Sequence, residues 1–474
     1  MTDTSAKINV TKKVSIAALM LLIVLSAQSS VLAAPEANTL TNVSSFLRTD
    51  GTYIRDGLGN FVLLRGVNIW PGAIYYADKL PQNTETDYKK IASWGFTAVR
   101  LPTSWDLIEP QPGKYDEAYL SKYVDTQIAW AKKYGLYVIL DMHQLGWSPY
   151  FTYAYKSGAT GLPKWAVSAY ANNAGGERQA KMDFWNSLGP NGSAPSQSNL
   201  SMQDRFLAMW KFVAARYSSE NIVAGYDLFN EPGANDMNTM NWASKDYDKF
   251  ASITVPAFLA RVVDAIRSVD SNHVIFWEPA RIWPTQTGYL DRPNVIYSPH
   301  YPGGWSLIDG YDGNNTLLAT SLDTLLHQSY AWNQPLFIGE WGIRAEARNA
   351  DRYTHDLSDL MDMHFVSSAW WAFARDSFGM YLLNEKGVER AVFIRNLVRP
   401  HITFSSSGPI SSSYDSGQLR VTVKGPSAVI VYLPTGESVD RVATDSGPVS
   451  WHLSSQSVVV DVPVEASQVS IYFK

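Results

Sequence analysis

The chain of 474 residues contains no cysteine. That excludes disulfides, thiolate nucleophiles and cysteine-bound zinc. Charge is sparse as well. Asp, Glu, Lys and Arg make up 18% of the residues, and 44 acidic side chains against 39 basic ones give a formal net charge of −5. No basic block stands out anywhere, so nucleic acid is not an expected partner. Beyond the first 34 residues no apolar run approaches the length of a membrane span. The G-x-S-x-G elbow of esterases, the H-E-x-x-H zinc motif and the calcium loop are all missing.

What the chain does hold is apolar and aromatic. Hydrophobic residues account for 46%, a globular composition, and 13% are aromatic, with 17 Trp, 26 Tyr and 18 Phe. Part of that aromatic excess must be core. The flat, amphipathic face of Trp also stacks on sugar C–H surfaces, which tilts expectation toward carbohydrate.

The N-terminus reads as an export signal. Lys12 and Lys13 precede the apolar run from Val14 to Ala27, and Val31-Leu32-Ala33-Ala34 supplies the small residues of a cleavage site. Residues 1–34 are therefore expected to be removed and the mature protein to be secreted; an uncleaved anchor is the alternative. Removal takes away three Lys and one Asp, moving the formal charge from −5 to −7.

After residue 50 short apolar runs alternate with helix-period stretches. The candidate strands are Phe61–Ile69, Thr97–Leu101, Leu136–Met142, Ile222–Phe229, His273–Trp277, Val295–Tyr297, Leu336–Gly339 and Phe365–Phe373. Helices are expected around 84–94, 117–134, 203–218, 247–268, 316–331, 351–363 and 385–397. Eight such units make an α/β fold of the (β/α)₈ TIM-barrel class over residues 35–400. The rival, a doubly wound open sheet, lacks its G-x-G-x-x-G turn. Residues 144–200 form a long loop expected at the C-terminal rim. Past Arg399-Pro400 helical signals stop, Ser405–Pro409 reads as a connector, and period-two runs predict a small C-terminal β-sandwich over 401–474.

Two glutamates end apolar runs: Glu231 in Asn230-Glu231-Pro232 and Glu340 in Gly339-Glu340-Trp341-Gly342. In a barrel these are the ends of the fourth and seventh strands, so both face one rim. Paired carboxylates there suit hydrolysis of a glycosidic bond, which needs a proton donor and a nucleophile or base. Arg100, ending the second strand, adds a permanent positive charge. It is expected to hold the nucleophile ionised while the other carboxyl keeps its proton. Asn230 is placed to bond a sugar hydroxyl. His143, His300 and Trp371 end further strands. Trp70, Trp105, Trp147, Trp305 and Trp341 are candidate sugar-stacking residues. His355, Asp359 and His364 share one helical stretch, but spacings of four and five do not hold all three to one face.

This set resembles glycoside hydrolase family five across roughly residues 50–400. The resemblance implies Glu231 as acid/base and Glu340 as nucleophile, with Arg100, His143, Asn230, His300, Tyr301, Trp371, Trp341 and Trp70 at the substrate site. It implies retention of anomeric configuration, and neither cofactor nor metal. Asp141-Met142-His143-Gln144, Gly161–Ala166, Tyr297–Tyr301 and the terminal sandwich are similar to the endoglycoceramidase branch, which implies a glycolipid substrate. Two positions depart from that branch. Leu145 stands where an acidic residue usually follows, and Pro302 replaces the usual Tyr, leaving Tyr301 to reach the nucleophile. The alternative substrates are β-1,4-glucan or mannan, and a third reading is a catalytically dead sugar-binding barrel.

Overall fold

A computed structural model describes residues 45–74, 83–152, 159–233, 245–280, 288–301, 310–375 and 378–474. The expected signal peptide, Trp305 and Pro302 lie outside the described residues. Eight parallel strands form one sheet: Arg65–Ile69, Ala98–Thr103, Tyr137–Met142, Val223–Asp227, Val274–Trp277, Val295–Tyr297, Phe337–Trp341 and Ser367–Phe373. The eighth strand pairs with both the seventh and the first. Closure between the sixth and seventh comes from a parallel bridge of Tyr297 to Leu336 and a Tyr297 N–H donated to Pro335 at 3.0 Å. The eight-stranded barrel of the (β/α)₈ fold is thus closed.

Every residue of these strands is buried except Glu340, which is half-buried. That is the expected state of parallel strands packed on side chains inside and helices outside. Helix starts follow local chemistry. Thr84 and Asp87 form a capping box before Glu85–Ser93, and the Ser201 hydroxyl accepts from the Asp204 N–H before Met202–Tyr217.

Four expectations need correction. The run 61–69 is not one strand. Phe61–Val62 joins a second sheet and Arg65–Ile69 begins the barrel, because the chain must leave one sheet to enter the other. The expected helix at 385–397 spans only Ala391–Leu397; Asn384 accepts from the N–H groups of Lys386 and Val388 and holds the preceding residues in a turn. The stretch 144–200 carries its own helices, Lys164–Val167 and Gly176–Trp185. The Ser405–Pro409 segment is a corner inside the sandwich, linking His401–Ser405 in one sheet to Pro409–Asp415 in the other.

The sandwich pairs a four-stranded sheet with a seven-stranded one, both antiparallel. The larger sheet includes three N-terminal strands, Arg48–Asp50, Tyr53–Arg55 and Phe61–Val62, so both ends of the described chain share it. Leu47 and Ile54 from this N-terminal part join barrel-interior residues such as Tyr137 and Phe337 in one apolar cluster. A buried ion network lies where the two units meet, and Ser412 of the sandwich donates its hydroxyl to the Asp362 carbonyl there at 3.1 Å. Asp362 accepts from Arg65 of the first barrel strand at 2.7 Å and from Arg399 at 2.7 Å, and Arg399 also pairs with Asp359. Tyr432 of the sandwich donates to the Ser93 carbonyl at 2.7 Å. Its ring lies so near Gly95 (φ +81°) that a β-carbon there would come within 2.4 Å.

Candidate active site

The site is built on one side chain. Arg100 is fully buried, and each of its five N–H groups has an acceptor. Nε donates to Asp227 at 2.9 Å; Nη1 donates to Asn68 at 3.0 Å and to Glu340 at 2.9 Å; Nη2 donates to Asn230 and Glu278, both at 2.9 Å. Asp141 lies a further 3.0 Å from Nη2. These partners come from, or immediately after, the first, third, fourth, fifth and seventh strands. Arg100 therefore has no donor left for a sugar, and its place is beneath the substrate site, not in contact with substrate as expected.

Glu231 and Glu340 converge. A carboxylate oxygen of each, together with a ring nitrogen of His300, falls within 4.8 Å of the others. His300 Nδ1 is 2.9 Å from Glu231 and 3.6 Å from Glu340. Both carboxylates keep some access to solvent, with side chains 19% and 12% exposed. His300 can approach because residue 339 is glycine: a β-carbon there would lie 3.0 Å from its Cδ2.

The backbone of Glu231 is left-handed (φ +42°), an unusual state for a residue with a side chain. It is clamped from both sides. Glu278 accepts its N–H at 2.7 Å, and the Gln144 amide donates at 3.0 Å to the carbonyls of both Asn230 and Glu231. Asn230 Nδ2 donates to the Gln144 carbonyl, leaving one amide hydrogen for a ligand. His143 donates from Nδ1 to Asp141 at 2.8 Å, which leaves Nε2 as the nitrogen available to a sugar. Its ring stacks on Trp371 at 5.7 Å, and Trp70 contacts both at 5.4 and 5.2 Å. These three rings form one wall beside the carboxylates.

Charge is distributed differently from the sequence expectation. Burial, ahead of all else, pushes Glu340 up to about 7; His300 and Arg100 oppose this and the negative Glu231 adds to it. Burial, the largest single influence, also disfavours a charged Glu231, but the His300 hydrogen bond and the positive charges of His300, His143 and Arg100 together outweigh it and hold that carboxyl below its usual range. His300 in turn is lowered by burial, yet Glu278 and Glu340 lift it well above the ordinary histidine value. Arg100 fails to keep Glu340 ionised because its single charge is divided among four carboxylates. Burial pushes one of them, Asp227, up to about 8. Near neutrality the pair therefore shares one proton, which in the free site rests on the Glu340 side.

Several expected site residues lie elsewhere. Tyr301 donates its hydroxyl to the Leu318 carbonyl at 2.8 Å and turns away from the nucleophile. Trp341 packs edge-on against Trp370 at 4.8 Å in the layer between strands and helices. Its neighbour Glu340 faces inward, and adjacent strand residues face opposite ways. Trp105 is core, donating to Glu109 at 2.7 Å and packing on Phe206. Trp147 is core as well, buried among Phe184, Trp185 and Phe229. Leu145 pairs its backbone with Thr160. Asp359 pairs with Arg399 and also lies 3.4 Å from His355.

The residues that sequence reasoning missed are Asn68, Asp141, Asp227, Glu278 and Gln144. Four of them sit in or directly after barrel strands that are otherwise apolar. A polar group in such a strand must find a partner, and that signal was present. From the Tyr301 geometry, Tyr301→Phe should leave kcat within about twofold of the native enzyme and cost about 1 kcal/mol of stability. Steady-state kinetics and urea unfolding measure both; a hundredfold kcat loss would place the hydroxyl in the reaction after all.

Residues 56–377 match the family described as "Cellulase (glycosyl hydrolase family 5)". The chain is 28% identical to endoglycoceramidase I of Rhodococcus hoagii, across 89% of this chain and 91% of that protein. It is 24% identical to endoglucanase C of Acetivibrio thermocellus, across 65% of this chain and 88% of that one. Among solved structures, endo-glycoceramidase II from Rhodococcus sp., in complex with ganglioside GM3, superposes with a TM-score of 0.72 at 23% identity, covering 89% of this chain and 99% of that one. The chain belongs to glycosyl hydrolase family 5 and is a glycosidase that hydrolyses O-glycosyl bonds.

Proposed function

We propose that this protein is an exported, retaining β-glycosidase that cuts between a glycan and the lipid carrying it. One observation bears most of the weight. Similarity to endoglycoceramidase I runs through 89% of the chain, whereas similarity to endoglucanase C covers 65%. A second reading, an endo-β-1,4-glucanase, draws on that shorter match and on Leu145 in place of the acidic residue.

The chemistry follows from the spacing. Carboxyl oxygens within 4.8 Å are too close to hold both the anomeric carbon and an attacking water between them, which suits double displacement. Glu340 attacks the anomeric carbon and forms a glycosyl ester. Glu231 gives a proton to the departing oxygen, then takes one from the water that frees the sugar. The roles require the shared proton on Glu231 when substrate is bound. The two carboxyls lie within 4.8 Å of each other and His300 Nδ1 is 2.9 Å from Glu231 and 3.6 Å from Glu340, so the displacement is short. Asn230 and His143 are the polar groups set to hold the sugar, with Trp371 and Trp70 as its wall. Export is supported by the order of charged, apolar and small residues over 12–34. N-terminal sequencing of protein from the culture medium tests it, and a retained Met1 would contradict it.

Incubation with a ganglioside should release the intact oligosaccharide with its β configuration, read by product mass and proton NMR. Turnover of cellulose or mannan alone would favour the second reading, and an α product would exclude double displacement. Catalysis needs one proton on the glutamate pair, so kcat/KM should fall as pH rises through about 7, where the pair loses it. A profile flat from pH 5 to about 9 would contradict that assignment.

A further inference from the structure

Glu278 follows the fifth strand and is buried, and no part of the double displacement described above uses it. Its two carboxylate oxygens nonetheless meet three functional groups. Oε1 accepts from Arg100 Nη2 at 2.9 Å and lies 3.2 Å from His300 Nε2. Oε2 accepts the Glu231 main-chain N–H at 2.7 Å. No other side chain in the described site touches the buried cation, the histidine between the catalytic pair and the backbone of the proton donor together.

The location matters because Glu231 holds a left-handed backbone. Such a conformation persists only where its surroundings impose it. Gln144 secures the carbonyl side, and Glu278 secures the N–H side. Replacing a carboxylate by a neutral amide also removes one negative charge from a closed group. That group comprises Arg100, Asp141, His143, Asp227, Glu231, His300 and Glu340, contributed by or just after the second, third, fourth, sixth and seventh strands. In a buried cluster, losing a negative charge loosens the remaining protons.

We infer that Glu278 is a positioning residue for the glycosidase reaction: it sets the place of the Glu231 carboxylate through the main chain and maintains the positive charge of His300. The inference rests on the reading of Glu231 as proton donor. It also separates two tasks, reach and charge, that different substitutions remove.

The test compares Glu278→Gln and Glu278→Asp with the native enzyme, using full pH profiles and thermal unfolding. Glu278→Gln should lower kcat about a hundredfold with KM nearly unchanged, since the residue is out of reach of substrate. Its alkaline limb should move to lower pH by about one unit, because a negative charge has left the buried cluster and the proton shared by Glu231 and Glu340 is held less firmly. Glu278→Asp keeps the charge but falls short of the Glu231 N–H. It should lose kcat similarly while its alkaline limb stays in place. If Glu278→Gln does not fold, the Asp variant still decides: kcat near native would overturn the inference. So would a Glu278→Gln enzyme whose alkaline limb has not moved. Glu231→Gln, measured alongside, isolates the reading beneath: native-like activity there would remove the donor role regardless of what Glu278 does.

Discussion

A single guanidinium, buried out of reach of water, governs this site. Arg100 is planar, permanently charged and carries five donors in a fixed fork. The five donors end on side chains carried by four strands, the first, fourth, fifth and seventh, or by the loops that follow them, so the barrel's C-terminal end is tied together at one point. Such a cation is tolerable inside a protein only when paired and hydrogen-bonded, and here the pairing groups are themselves the machinery or its supports. Glu340 is held directly. Glu231 is held at one remove, through Asn230 beside it in the chain and Glu278 on its backbone. The same atoms that satisfy the buried charge therefore define where the two catalytic carboxylates lie.

That arrangement also explains the proton balance. Four carboxylates surround one arginine, with Glu231 close by, so the group has more negative sites than its fixed charge can neutralise. Some must remain protonated near neutrality, and burial selects which: Asp227 and, in the free site, Glu340. His300 supplies the second positive charge. It stands between the catalytic pair because Gly339 presents no β-carbon to exclude it. Geometry and charge are thus not separate designs. Crowding of carboxylates around a limited number of cations makes a transferable proton available at ordinary pH.

Much of this was legible in the sequence, and the failures have definite causes. Alternating strand and helix patterns identified the barrel, since parallel strands buried on both faces leave continuous apolar runs. Glu231 and Glu340 stood out because two carboxylates end apolar runs that a barrel brings to one rim. The run from Phe61 to Ile69 misled because two consecutive short strands of different sheets are both apolar. Residues 48–55 gave no sign of joining a sheet whose larger part begins only at His401. Trp341 was misplaced for want of one step: next to an inward glutamate, a strand residue must face outward. Tyr301 was placed by analogy with a position shifted by one residue, and a shift of one reverses the face. Trp105 and Trp147 lie near strand ends, as rim residues do, but the helices within 144–200 and the neighbouring aromatics cover them. Glu278 is the instructive omission, because a lone acid after an apolar strand is the same signal that revealed the pair.

The site depends on the shape of the Arg100 fork and not on its charge alone. Lysine at that position would keep the charge and present one ammonium in place of five directed donors. Measuring kcat and the thermal midpoint of Arg100→Lys tests this most directly. A folded enzyme with kcat reduced by about a thousandfold is the predicted result. A folded Arg100→Lys enzyme turning over within about tenfold of the native rate would show that a point charge suffices, and would contradict the account.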